Sequence, residues 1–294
     1  MSAAGQTYKA ATVGTFDGVH LGHRLVLDTL REEARRDGLE LMAITFDRHP
    51  LTLIAPERAP GFLSTVDEKR ALLEAEGVEP VIMAFNEQMR RQTAYEWMRR
   101  LHERMGVRLL VVGYDNTFGS DGLSMSIADY ESLGEVIGIR VVEAPVVPGI
   151  SSSAVRKAVA AGDVGRAAEM LGRPYRLEGI VRSGNRLGAT IGFPTANIQP
   201  ERGRLLPAEG VYAADATLPD GRRFRAAVNI GRRPTIGDLT APLIEAHLID
   251  FDSDLYGENL QLDLTARIRG EQKFDSVEDL RQQLEKDVRE IRAL

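Results

Sequence analysis

Short apolar runs alternate with amphipathic stretches through the first half of the chain. Ala10 to Val13, Leu41 to Phe46, Val81 to Phe85, Leu109 to Gly113 and Arg140 to Ala144 are nearly unbroken apolar segments of strand length. Between them the apolar residues recur at helical spacing. One such pattern opens near Leu21 and runs through Leu25, Leu27, Leu30 and Ala34. Another starts at Thr65, whose hydroxyl and the carboxylate of Glu68 form the reciprocal pair of a capping box. A third covers Ala94 to Met105 and stops before Gly106. Strands that alternate with helices predict a parallel α/β sheet, which takes ligands at the carboxyl ends of its strands.

The pattern changes after Leu171-Gly172-Arg173-Pro174. Gly210 to Ala216, Phe224 to Ile230, Leu243 to Ile249 and Asn259 to Ile268 read as strands parted by Gly, Pro and Asp turns. Helical spacing returns only at the end: Ser276 can cap, and Val277, Leu280, Leu284, Val288 and Ile291 follow at steps of three or four. This half predicts a small antiparallel barrel closed by a C-terminal helix. A chain of 294 residues has room for two cores, and the change of pattern sets the domains at 1–172 and 173–294.

Composition narrows the chemistry. The net charge of −6 argues against a partner made of long nucleic acid, so an anionic ligand must be gripped by local N–H groups, arginines or metal. The absence of cysteine removes disulfides, thiolate metal sites and cysteine nucleophiles. The N-terminus has no apolar core of signal-peptide length, and no apolar run reaches membrane-span length, so a soluble cytoplasmic protein without a membrane partner is expected.

Gly14-Thr15-Phe16-Asp17-Gly18-Val19-His20-Leu21-Gly22-His23 follows the first strand and opens the first helix. A helix N-terminus offers N–H groups and a positive dipole end to an anion, and Gly18 and Gly22 let a phosphate approach the backbone. His20 and His23 can donate hydrogen bonds to charge developing on a phosphoryl oxygen. Taken alone, the stretch reads equally as a capping loop with two surface histidines; a metal pair lacks a third ligand at metal spacing. Ser151-Ser152-Ser153-Ala154-Val155-Arg156 sets hydroxyls at another helix start with an arginine one turn in, suited to nucleotide phosphates or simply to capping. Gly113-Tyr114-Asp115-Asn116-Thr117-Phe118-Gly119 follows another strand and reaches the same sheet edge.

These segments, with Thr45-Phe46-Asp47-Arg48-His49-Pro50, resemble in order the adenylyltransferase half of bifunctional bacterial riboflavin kinase/FAD synthetases, a family of His-x-Gly-His nucleotidyltransferases. The resemblance implies a Rossmann-like domain that joins FMN to the AMP part of ATP, assisted by Mg²⁺. It implies that His20 and His23 contact the ATP phosphates, with Gly14, Phe16, Gly22, Asp115, Ser151 and Ser152 around the nucleotide. Asp47 is implied at the flavin or the nucleotide, Asn116 at the flavin, and Arg156 at the leaving pyrophosphate. Arg24 stands where the family has Gln, Asn116 where it has Phe, and Ser153 where it has Thr.

In the second half Gly184, Gly188 and Gly192 precede Phe193-Pro194-Thr195-Ala196-Asn197. Thr195 and Asn197, two apart on an extended segment, put a hydroxyl and an amide oxygen on one side as hard ligands for Mg²⁺; an ordinary turn is the other reading. In Ile244-Glu245-Ala246-His247-Leu248, strand alternation turns Ile244, Ala246 and Leu248 to the core and leaves Glu245 and His247 on the opposite face. A carboxylate so placed can take a proton from an attacking hydroxyl.

Gly184–Asn197, Leu206–Tyr212, Val228–Thr235 and Glu245–Gly257 resemble the riboflavin kinase module of the same family. That likeness implies a six-stranded antiparallel barrel, ATP and Mg²⁺ held at Thr195 and Asn197 beside Gly188 and Gly192, and Glu245 activating the ribityl hydroxyl. Ser183 replaces a usual His, and Ala189 a usual Arg. The two modules together imply riboflavin and ATP as substrates, FMN as product and then substrate, and FAD as final product. Rival readings are a riboflavin kinase with an inactive first domain, a nucleotidyltransferase for another acceptor, and a non-enzymatic flavin-binding protein.

Overall fold

Ala10, Ala11, Leu109, Leu110 and Val111 are sealed from solvent on both faces of their strands, as a parallel sheet covered by helices on each side requires. The computed structural model describes residues 7–114, 116–183, 187–234 and 240–294. Asp115, Gly184 and Thr235 lie outside the described residues. The chain divides into two compact units, Met1–Ser152 and Ser153–Leu294.

The first unit runs β1 (Lys9–Val13), α1 (Leu21–Asp37), β2 (Glu40–Phe46), α2 (Leu51–Ile54), α3 (Val66–Ala75), β3 (Glu79–Met83) and α4 (Glu87–Arg90). It continues through α5 (Ala94–Met105), β4 (Val107–Gly113), α6 (Ile127–Ile137) and β5 (Arg140–Ala144). Its five strands are parallel in the order β3-β2-β1-β4-β5. Ala10, Leu109 and Val111 face Leu30 and Ala34 of α1, while Ala11, Val13, Leu110 and Val112 face Trp97, Met98 and Leu101 of α5. Thr65 and Glu68 close the capping box expected of α3. The strand expected at Val81 to Phe85 instead occupies Glu79–Met83. It is an edge strand, where Pro80 costs no ladder hydrogen bond, so a residue that reads as a breaker sits inside it.

Strand order reverses between β1 and β4: the chain leaves β1 for β2 on one side and returns to β4 on the other. In an open parallel sheet the crevice outside such a reversal is where ligands sit. The turn after β1 and the turn after β4 therefore fall at this position.

Helix α7 (Ser152–Ala160) spans the division. The second unit adds α8 (Val164–Leu171), β6 (Tyr175–Arg182), α9 (Leu187–Thr190), β7 (Ala196–Pro200), β8 (Gly210–Thr217) and β9 (Arg223–Pro234). After these come β10 (Thr240–Leu248), β11 (Asn259–Gly270) and α10 (Val277–Ala293). Strands β6 to β11 close an antiparallel barrel in the order β10-β7-β6-β11-β8-β9. Tyr212, Ala214, Val228, Ile244, Ala246 and Leu264 are buried inside it. On the outer wall Ala213 and Ala227 form an apolar strip that Val288 and Ile291 of α10 cover.

Candidate active sites

The turn from β1 into α1 bends sharply. Phe16 and Val19 adopt φ of 46° and 38°, a left-handed conformation that costs non-glycine residues about 1–3 kcal/mol each. Asp17 holds it in place. Its buried carboxylate accepts the N–H of Leu63 at 2.9 Å, and the N–H and hydroxyl of Ser64 at 3.0 and 3.3 Å. The same Ser64 hydroxyl accepts the N–H of Gly18 at 2.9 Å. The carbonyl of Asp17 accepts the hydroxyl of Ser152 at 3.0 Å, bringing the Ser151–Ser152 start of α7 to this turn.

His20 caps α1, its Nδ1 accepting the N–H of His23 at 3.2 Å. An acceptor at Nδ1 leaves Nε2 as the N–H of the neutral ring, a hydrogen-bond donor. The His20 and His23 rings stack with centroids 3.6 Å apart and planes 14° from parallel, and Phe16 packs on His23 at 5.0 Å. A Cβ at Gly22 would lie 3.1 Å from the His20 ring, so glycine is what makes room for the stack.

Around this turn, Thr45 donates to the carbonyl of Thr15 at 2.9 Å, and buried Lys69 reaches Thr45 Oγ1 and the Phe46 carbonyl at 3.3 and 3.0 Å. Asp47 accepts the Phe85 N–H at 2.9 Å and pairs with Arg48 at 3.0 Å. Burial pushes the Asp47 carboxyl up, but the Arg48 guanidinium and the Phe85 N–H together hold it below the usual carboxylate range. Asn116 donates through its amide to the carbonyl of Val13, tying the exit of β4 to that of β1. Arg24 pairs with Glu76 at 2.8 Å, joining α1 to the end of α3.

Gly14, Phe16, His20, Gly22, His23, Asn116 and Ser152 thus meet at the carboxyl edge of the sheet. Asp47 lies one strand away at the end of β2. Arg156 is one turn beyond Ser152 on α7, in the second unit. Asp17, Ser64 and Lys69, which hold the turn, had no role in the sequence reading. Asp17 lies inside the Gly14–His23 motif, but its partners are 46 and 47 residues away.

The second site is on the outer wall of the barrel. Strand β10 lies between β7 and β9, and Glu245 stands directly opposite both Asn197 and Asn229. Directly paired residues share a face, so all three polar groups point together. Ile244, Ala246 and Leu248 are buried on the other face, as the alternation predicts. Thr195 precedes β7. Gly188 lies beneath it: its carbonyl accepts the Phe193 N–H at 2.8 Å, and any Cβ there would overlap the Phe193 carbonyl oxygen. Gly192 turns with φ of 89°.

Thr195, Asn229 and Glu245 line a cavity of about 390 Å³ whose remaining wall is largely apolar, with Ile191, Phe193, Val211, Leu243, Leu280 and Leu284 contributing. At its rim Arg269 grips Asp287 of α10, which is 1 % exposed, with N–O distances of 2.8 to 3.1 Å. Gln283 donates to the same carboxylate at 2.8 Å. This pair, 18 residues apart, left no local signal in the sequence.

A nucleotide-type α/β sheet with paired imidazoles at its switch point, followed by a barrel with an acid–amide cluster beside an apolar cavity, defines a two-module phosphate-transfer protein. Residues 3–156 match the family model described as FAD synthetase, and residues 171–294 match the one described as riboflavin kinase. The bifunctional riboflavin kinase/FMN adenylyltransferase of Haemophilus influenzae is 38% identical over 97% of this chain and 93% of its own length. That of Escherichia coli K12 is 37% identical over 98% and 93%. A crystal structure described as a macrolide-efflux protein from Streptococcus pneumoniae superposes with a TM-score of 0.89 at 32% identity, covering 99% of this chain and 96% of that one. That description is of the other protein; here, among the described residues, no helix is long and apolar enough to cross a membrane. The chain belongs to the bifunctional riboflavin kinase/FAD synthetase family.

Proposed function

We infer that this chain phosphorylates riboflavin to FMN with ATP and then adenylylates FMN to FAD, releasing pyrophosphate. The observation that carries the reading is the presence of both clusters on one chain: stacked His20 and His23 at the sheet's switch point, and Glu245 in register with Asn197. The functional domains are 1–172 and 173–294, and the enzyme acts in the cytoplasm.

In the kinase module the apolar cavity takes the isoalloxazine ring, and the ribityl chain extends toward Glu245. Glu245 accepts the proton of the 5′-hydroxyl as that oxygen attacks the γ-phosphorus and ADP departs. Thr195 and Asn197 supply oxygen donors suited to Mg²⁺. Such an ion would be held jointly with nucleotide phosphates and water. Bound there, Mg²⁺ supplies charge neutralisation on the phosphates.

In the adenylyltransferase module an FMN phosphate oxygen attacks the α-phosphorus, the bond to the bridging oxygen breaks, and pyrophosphate leaves. His20, donating from Nε2, and His23 beside it stabilise charge on the phosphoryl oxygens. Gly14, Phe16, Gly22, Asp115, Ser151 and Ser152 serve the nucleotide. Arg156 takes the pyrophosphate, and Asp47 and Asn116 flank the flavin. No covalent intermediate is needed, so the rate rests on positioning and charge stabilisation.

A chromatographic time course with riboflavin, ATP and Mg²⁺ tests the assignment: FMN rises and then gives way to FAD. FMN accumulating without FAD would leave only the kinase.

A further inference from the structure

We propose that His247 is a positioning residue of the kinase site, anchoring the loop that carries Thr195. The inference rests on the kinase reading above. In the β7–β10 ladder the last backbone pair is Ala196 with Ala246. One step further, the same register sets His247 opposite Thr195, but backbone pairing has already stopped. At that point the side chain takes over: His247 Nδ1 lies 2.9 Å from the carbonyl oxygen of Pro194. A carbonyl only accepts, so Nδ1 carries the proton. Thr195 is thereby fixed on both flanks, by the ladder at Ala196 and by the imidazole at Pro194.

Pro194 has no N–H, so its carbonyl is its only backbone hydrogen-bonding group. Before it the chain rounds the turn at Gly192, whose φ of 89° and open surroundings offer no steric restraint of their own. Phe193 meets the His247 ring edge-on at 5.2 Å, so ring packing and the hydrogen bond both act on this segment. Glu245, two residues earlier on the same strand and face, belongs to the same rigid wall. His247 therefore sets the distance between the group that holds nucleotide and the group that takes the proton, while Glu245 does the chemistry. A displacement of about 1 Å between such groups costs on the order of 100-fold in rate.

Two substitutions separate the hydrogen bond from the ring. His247→Asn keeps an N–H near the Nδ1 position and loses the ring; His247→Phe keeps the ring and loses the donor. FMN adenylylation on the same preparations, a reaction of the other module, reports that the chain is folded. His247 also lines the cavity, and the expected result is a fall of about 10- to 100-fold in riboflavin kinase kcat for His247→Phe, with adenylylation unchanged. His247→Asn should stay within about threefold of the wild-type kcat. Calorimetry with ADP and Mg²⁺ should show weaker binding to His247→Phe alone, and ¹⁵N spectra of the wild type should show His247 protonated at Nδ1. A wild-type kcat in His247→Phe, an equal loss in both variants, or an Nε2-protonated tautomer would overturn the proposal. If the wild-type chain forms no FMN, the kinase reading falls and this inference with it.

Discussion

Arg24 is the departure from the family pattern closest to the paired imidazoles, and its guanidinium is directed to Glu76. Both partners are partly exposed, and such pairs contribute about 0–1 kcal/mol. Arg24→Gln should therefore change FMN adenylylation by less than about twofold; a loss above about tenfold would show that Arg24 touches the reaction. Asn116 is another departure, and its amide donates to the Val13 carbonyl, so the polar side chain has a partner at this turn. Lys69 carries a pH dependence. Burial pushes its ammonium below the ordinary lysine value, opposed by the charges of Asp17 and Asp47. The unfolded chain, where lysine titrates near about 10.4, then binds this proton more tightly than the folded protein. Its contribution to stability is full above that pH and is lost as pH falls toward the lowered value. The urea midpoint of the wild type minus that of Lys69→Met should accordingly rise as pH is raised from about 8 to 10.4, and a flat difference would remove Lys69 as the cause.

At the scale of elements, α10 walls the cavity beside Glu245 and is fastened by one buried carboxylate. Asp287→Ala would leave the Arg269 guanidinium unpaired in a largely enclosed place, a change that typically costs about 3–5 kcal/mol. The barrel transition followed by circular dichroism should shift downward. Fluorescence of Trp97, the single tryptophan, lies in the first unit and should move little. Equal shifts in both signals would mean that the units unfold together. Helix α10 itself was legible from Val277, Leu280, Leu284, Val288 and Ile291, and α5 from an apolar stripe ended by Gly106. Periodicity alone marked four of the six barrel strands. Strand β6 escaped because Arg176, Glu178 and Gly179 interrupt its apolar residues, and β7 was legible only as an extended piece around Thr195 to Asn197 because Ile198 is the one large apolar residue in it. The residues that fasten the sites escaped for a different reason. Asp17 with Ser64 and Arg269 with Asp287 act across long sequence separations, where no local spacing can point to them.

For the whole molecule, the two modules should be separable by single substitutions. Glu245→Ala should abolish FMN formation from riboflavin while conversion of supplied FMN to FAD persists, and His23→Ala should do the reverse. A folded variant that lost both activities would contradict the assignment of the chemistry to separate clusters. An intact His20–His23 stack and an intact Glu245–Asn197 register both argue against a silent flavin-binding protein. The architecture also bears on how the chain fails under heat. A closed barrel presents no open edge along its strands, whereas the five-stranded sheet ends in β3 and β5, each with one side unpaired among the described residues. Pro80 in β3 and Arg140 and Glu143 in β5 are the kinds of residue that blunt such edges. Intermolecular strand pairing, and hence aggregation, should therefore begin in the first unit, and replacing Pro80 with a β-branched residue would open the way to it.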